Sequence, residues 1–165
     1  SQFDTVTGYI EMGTEEGARL AYGGNAVTGG IYDEGYYVEP TIFTDVDPSM
    51  RIAREEIFGP VLTVFKARDL DDAVQISNDV EFGLSSSVYT MDLTRAFQYV
   101  GSIEAGMVHI NSPTLGGEVH LPFGGLKSSG VGQREQGVEA VEFFSEVITV
   151  YVDYAGAPRG QTKFI

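Results

Sequence analysis

Three strand-like segments alternate with two amphipathic helical ones, and this order restricts the fold more than any other feature of the chain. The strand candidates are residues 61–66, 85–89 and 106–110. Asp69 opens the first intervening segment, which carries Leu70, Ala73, Val74 and Val80 on one side. Asp92 opens the second, where Leu93, Ala96, Phe97, Val100 and Ile103 recur every three or four residues. A short acidic side chain at a helix head accepts its first free backbone N–H groups. Three-to-four spacing gives a helix one apolar face. Strand, helix, strand, helix, strand predicts an α/β fold with a parallel sheet and right-handed crossovers. Ligands of such sheets lie beyond the carboxyl ends of the strands. The Gly/Pro/Ser-rich stretch 112–133 leaves one such end, and a loop of that length is more often functional or mobile than filler.

Around this centre the pattern is more broken. Phe3, Val6 and Ile10 share a helical face that Gly13 ends. Residues 18–22 read as a strand, 23–35 as a Gly-rich loop, and 36–38 and 41–44 as short extended pieces about Pro40. Residues 49–54 make a turn or two of helix. Residues 134–145 read as a helix burying Gly137, Ala140, Val141 and Phe144. Residues 147–152 are β-branched and read as a last strand, and 155–165 as a polar tail.

The chain has 165 residues, 42% of them hydrophobic, enough for one domain with a core. Its net charge is −14, from 24 acidic and 10 basic residues. Such a surface repels nucleic acid and anionic membranes, so neither is an expected partner. It suits a high-salt medium and an ordinary acidic cytosol equally. No apolar run is long enough to cross a bilayer, and Ser1-Gln2-Phe3-Asp4 reads as a helix start rather than a targeting signal. A cytoplasmic protein is expected. There is no Cys, which excludes a disulfide scaffold and any thiolate metal site.

Several constellations carry candidate chemistry. In Arg54-Glu55-Glu56-Ile57-Phe58-Gly59-Pro60-Val61, the Glu56 carboxylate could accept two hydrogen bonds from a vicinal diol. Phe58 could pack on a sugar or an aromatic ring, with Gly59-Pro60 turning both side chains into one cleft. Taken alone, a surface carboxylate beside a core Phe explains the same residues. Residues 121–130, Leu-Pro-Phe-Gly-Gly-Leu-Lys-Ser-Ser-Gly, could set Phe123 in the wall of an apolar tunnel. They are no P-loop, because Leu126 stands where a Gly must precede the Lys-Ser pair. No GxGxxG turn follows a strand. His109 and His120 have no partner at metal-ligand spacing, so no metal is expected. Ser112, Ser128 and Ser129 lack a nucleophile elbow.

Five segments, in order, resemble the aldehyde dehydrogenase superfamily. Residues 35–42 are similar to its G-x-F/Y-x-x-P-T-I strand, and residues 50–61 to M-x-I-x-x-E-E-I-F-G-P-V. Residues 82–88 resemble Y-G-L-x-x-x-V, residues 106–111 G-x-V-x-I-N, and residues 122–130 P-F-G-G-x-K-x-S-G. The likeness covers about residues 1–154. Residues 119–125 with Arg134-Glu135-Gln136-Gly137 further resemble the ending of α-ketoglutarate semialdehyde dehydrogenases.

The resemblance implies residues 1–145 as the C-terminal part of that family's catalytic domain and 146–154 as an oligomerisation strand. It implies NAD or NADP as cofactor, with Glu56 holding the nicotinamide ribose hydroxyls, Phe58 packing on ribose and nicotinamide, and Leu84 beside the nicotinamide. Phe123 would line the substrate tunnel, Asn111 would brace a loop, and Arg134 is the nearest cation for an anionic aldehyde. In the family a Cys thiolate attacks the aldehyde, hydride leaves to the cofactor, and a Glu-activated water releases the acid. The resemblance places Cys and Glu ahead of Ser1 in family order, so no catalytic residue is expected here. The chain alone is expected to be inactive and to work with the N-terminal part of a parent enzyme, in a homo-oligomer joined through 147–154. The alternative is a truncated, non-catalytic homologue serving as a binding or oligomerisation module.

Overall fold

The computed structural model describes residues 1–152. Helix α1 (Gln2–Glu15) begins at Ser1, whose hydroxyl and Asp4 form a reciprocal capping box. Strand β1 (Arg19–Tyr22) follows, then β2 (Ala26–Val27), a 3-10 turn (Gly30–Glu34), β3 (Tyr37–Val38) and β4 (Thr41–Thr44). Helix α2 (Arg51–Arg54) and strand β5 (Val61–Thr63) complete the first half. The second half runs α3 (Leu70–Asn78), β6 (Phe82–Gly83), β7 (Ser85–Val88), α4 (Leu93–Ser102), β8 (Met107–Ile110), β9 (Leu126–Lys127) and α5 (Glu139–Phe143).

The sheets are mixed. β4 pairs antiparallel with β1 and parallel with β5, in the order β1-β4-β5. β7 and β8 form a separate parallel pair across α4, with Ser87 opposite His109. β6 pairs with β9, and β2 with β3, both antiparallel. The single parallel sheet expected from residues 61–66, 85–89 and 106–110 therefore does not form within the chain. β5 takes β4 as its partner, and its other edge has no hydrogen-bonded neighbour among the described residues.

The core lies under the first sheet. Val6 and Ile10 of α1 meet Phe43 of β4, Ile52 of α2 and Ile57. Phe43 is fully buried, which removes an entire aromatic side chain from water and contributes about 1.5–3 kcal/mol. Asp69 and Asp92 cap α3 and α4 as their positions require, accepting from Asp72 N at 2.9 Å and Thr94 N at 2.9 Å.

The apolar face expected for α4 is largely open. Ala96 and Tyr99 are buried, while Leu93, Phe97 and Val100 stand exposed. Helix α5 is also shorter than residues 134–145. Gln136 and Gly137 both have positive φ, 65° and 55°, which helical backbone cannot accommodate. A Cβ on Gly137 would lie 2.7 Å from the His120 carbonyl oxygen, so only glycine fits this close approach. Within α5 nothing is buried, and Val141 and Phe144 are exposed. Residues 147–152 form no strand inside the chain and are exposed along their length. Residues 153–154 of the expected oligomerisation strand and the whole 155–165 tail lie outside the described residues.

Candidate functional site

α2 ends in two carboxylates with opposite surroundings. Glu55 accepts from Arg51 Nε at 2.7 Å and Nη2 at 2.8 Å, one helical turn back. It also accepts from the Tyr9 hydroxyl at 2.6 Å. The Arg51 guanidinium, and then the Tyr9 hydroxyl, hold its carboxyl down to about 2. The same hydrogen bond to Glu55 raises the Tyr9 phenol above its ordinary value. Arg54 turns away to Asp79, at 3.2 Å. Glu56 is exposed, and among the described residues it has no hydrogen bond or ion pair. Its carboxylate is left with its full acceptor capacity.

Glu56 borders a groove of about 460 Å³ together with Val80, Phe82, Leu84 and Ser129. Sequence reasoning associates Glu56 and Leu84 only through the family likeness, since 28 positions separate them (84 − 56). The fold joins them because β6 brings residues 82–84 beside the end of α2. Ser129, set aside above as a nucleophile, accepts from Gly83 N at 3.1 Å and fixes this wall. A free carboxylate facing a groove with apolar walls can hold a vicinal diol at one end and an apolar ring along the other.

Phe58 is not in that groove. Ile57, between the two candidates, is buried in the core, and Phe58 beyond it has φ 54° with its ring 78% exposed. Its ring borders a second, aromatic groove with Phe3, Tyr36 and Tyr37. Gly59 follows because a Cβ there would come within 2.5 Å of Val6. Gly59-Pro60 thus brings the turn against α1 and does not turn Glu56 and Phe58 into one cleft. A bulky residue in left-handed conformation costs energy that its surroundings must offset, and such strain gathers at functional positions.

Phe123 occupies a third region. Its backbone forms an antiparallel bridge to Glu135, and its ring lines a cavity of about 380 Å³ with Met107, His109, Leu121 and Gln136. Arg134 does not line that cavity. Its Nη1 donates to the Gly125 carbonyl at 2.6 Å, which ties the guanidinium to the loop. Asn111 acts as a brace: its side-chain oxygen accepts from Thr90 N at 2.8 Å and its amide donates to Thr90 O at 2.9 Å. Among the described residues no three His, Asp or Glu side chains gather to hold a metal. No helix there is long and apolar enough to cross a membrane.

Comparisons with known proteins agree with one another. The aldehyde dehydrogenase family model matches residues 1–150. An α-ketoglutaric semialdehyde dehydrogenase of Bacillus subtilis is 45% identical over 152 residues, 92% of this chain and 31% of the relative. A betaine aldehyde dehydrogenase of Brucella anthropi is 48% identical over 153 residues, 93% of this chain and 31% of the relative. The crystal structure of an NAD-dependent aldehyde dehydrogenase from Sinorhizobium meliloti superposes with a TM-score of 0.86 at 39% identity, covering 98% of this chain and 31% of that one. The chain thus spans under a third of the length of these relatives.

Proposed function

Because the chain belongs to the aldehyde dehydrogenase family, we propose that it is the C-terminal part of an NAD(P)-dependent enzyme that oxidises an aldehyde to a carboxylate. The observation that carries this reading is the unpartnered Glu56 carboxylate facing a groove it shares with Leu84. That arrangement fits the ribose and nicotinamide half of a dinucleotide. The bound nucleotide would supply a hydride acceptor. Glu56 would accept from the two ribose hydroxyls, Leu84 would exclude water beside the ring, and the exposed Phe58 ring would swing from the neighbouring groove to pack on the sugar. Phe123 would wall the aldehyde tunnel. The reading gives this chain no catalytic residue, because it contains no Cys.

For the whole enzyme the first aldehyde to test is α-ketoglutarate semialdehyde, with betaine aldehyde as comparison, since relatives of similar identity carry those names. The exposed Leu93, Phe97 and Val100 and the open edge of β5 support a surface packed against the N-terminal part of such an enzyme. The exposed β-branched run 147–152 supports strand addition to a second subunit.

The test is nucleotide binding. In the full-length enzyme, Glu56→Gln is expected to weaken NAD⁺ about tenfold by calorimetry, because a neutral amide accepts poorly from two hydroxyls. Unchanged affinity would remove Glu56 from the cofactor site. The 165-residue chain alone is expected to reduce no NAD⁺ with simple aldehydes and to bind it weaker than micromolar; turnover or micromolar affinity would overturn the partial-enzyme reading.

A further inference from the structure

We infer that Gln2 and Tyr9 of helix α1 are positioning residues that set the Glu56 carboxylate from both sides. The inference rests on Glu56 being a cofactor contact. Gln2 and Tyr9 stand seven residues apart, two turns along one helical face. The Gln2 side-chain amide donates to the carbonyls of Ile57 and Phe58, both at 3.1 Å. The Tyr9 hydroxyl donates to Glu55 at 2.6 Å, on the carboxylate that Arg51 also grips. These contacts fall on residues 55, 57 and 58 and leave 56 untouched.

The helix is rigidly placed. Val6 and Ile10, between and beside the two polar residues, are buried against Phe43 and Ile52. Ile57 inserts into the same cluster and fixes the middle of the segment. Phe58 takes φ 54° next to the two carbonyls that Gln2 holds, so the amide offsets a conformation the residue does not favour. With the backbone fixed on either side, only the Glu56 side chain remains free to turn. A ribose then meets a carboxylate whose backbone is already in place, so only the side-chain rotamer has to be ordered on binding, which lowers its entropic cost.

The experiment is a double-mutant cycle in the full-length enzyme, read by NAD⁺ calorimetry. Gln2→Met removes the donor at nearly constant shape, and Tyr9→Phe removes only the hydroxyl. Each is expected to weaken NAD⁺ by roughly five- to tenfold. In a Glu56→Gln background the same changes are expected to have no further effect, because they act through Glu56. An equal loss in both backgrounds would mean that the two residues act through Phe58 or through general destabilisation, and would overturn the inference. Unchanged affinity in Gln2→Met and Tyr9→Phe, with Glu56→Gln weakened, would overturn it while leaving the ribose contact standing. Unchanged affinity in Glu56→Gln itself would overturn the ribose contact and the inference with it.

Discussion

The Glu55 carboxylate takes the Arg51 guanidinium through two hydrogen bonds, at 2.7 and 2.8 Å, while Glu56 beside it takes none. Two identical side chains in succession therefore do different work. One is spent on joining α1 to α2, and the other is available to a ligand.

The spent carboxylate should be visible in the pH dependence of stability. Glu55 has its carboxyl lowered from an ordinary 4.5 to about 2 by Arg51 and Tyr9. A lowered acid stabilises fully above its unfolded value and loses that contribution as pH falls through the folded one. Thermal unfolding of wild type and Glu55→Gln should differ by a constant amount above pH 4.5, and the gap should close between 4.5 and about 2. A gap that persisted or widened in acid would contradict the ion pair.

Strain at Phe58 predicts an order of stability. Left-handed backbone costs a non-glycine residue about 1–2 kcal/mol, and glycine escapes that cost. Phe58→Gly should therefore unfold at a higher urea concentration than Phe58→Ala, by about 1 kcal/mol after the greater unfolded-state entropy of glycine is counted. Equal midpoints would argue against the φ of 54°.

Asn111 separates hydrogen bonding from conformation. It has φ 56° and bonds Thr90 twice. Asn111→Gly keeps the backbone and loses the bonds, at about 1–2 kcal/mol. Asn111→Ala loses both and should cost about 1 kcal/mol more. Urea titration of the pair decides between them; an alanine variant as stable as wild type would remove the brace.

Phe43 reports on the core. It is fully buried where α1, α2 and the first sheet meet. Phe43→Ala should destabilise by about 3–5 kcal/mol through lost burial and the cavity left behind. Phe43→Leu should cost only about 1–2 kcal/mol. A small effect of alanine would place the core elsewhere.

Much of the fold is legible in the residues. The Asp69 and Asp92 caps, the 3–4 spacing of α1 and the β-branched strands all rest on interactions within a few positions, which local sequence encodes. The helix expected over 134–145 fails at Gln136 and Gly137, whose left-handed backbone packs closely against the His120 carbonyl. No pattern inside 134–145 contains His120.

The α/β alternation, the capped helices, the family likeness and the candidates Glu56, Phe58, Leu84 and Phe123 are all readable along the chain, because each rests on residue type and local spacing. Their grouping follows from the packing of distant segments. Glu56 and Leu84 share a groove because β6 returns beside α2, whereas Phe58 is parted from them by one buried residue, Ile57. Packing also adds the Tyr9 contact that separates the two glutamates. Glu55 and Glu56 are the same residue in sequence; Arg51, one helical turn back, and Tyr9, reaching across from α1, make one a brace and leave the other open. Local chemistry sets what a side chain can bind, and packing at long sequence separation sets what it meets.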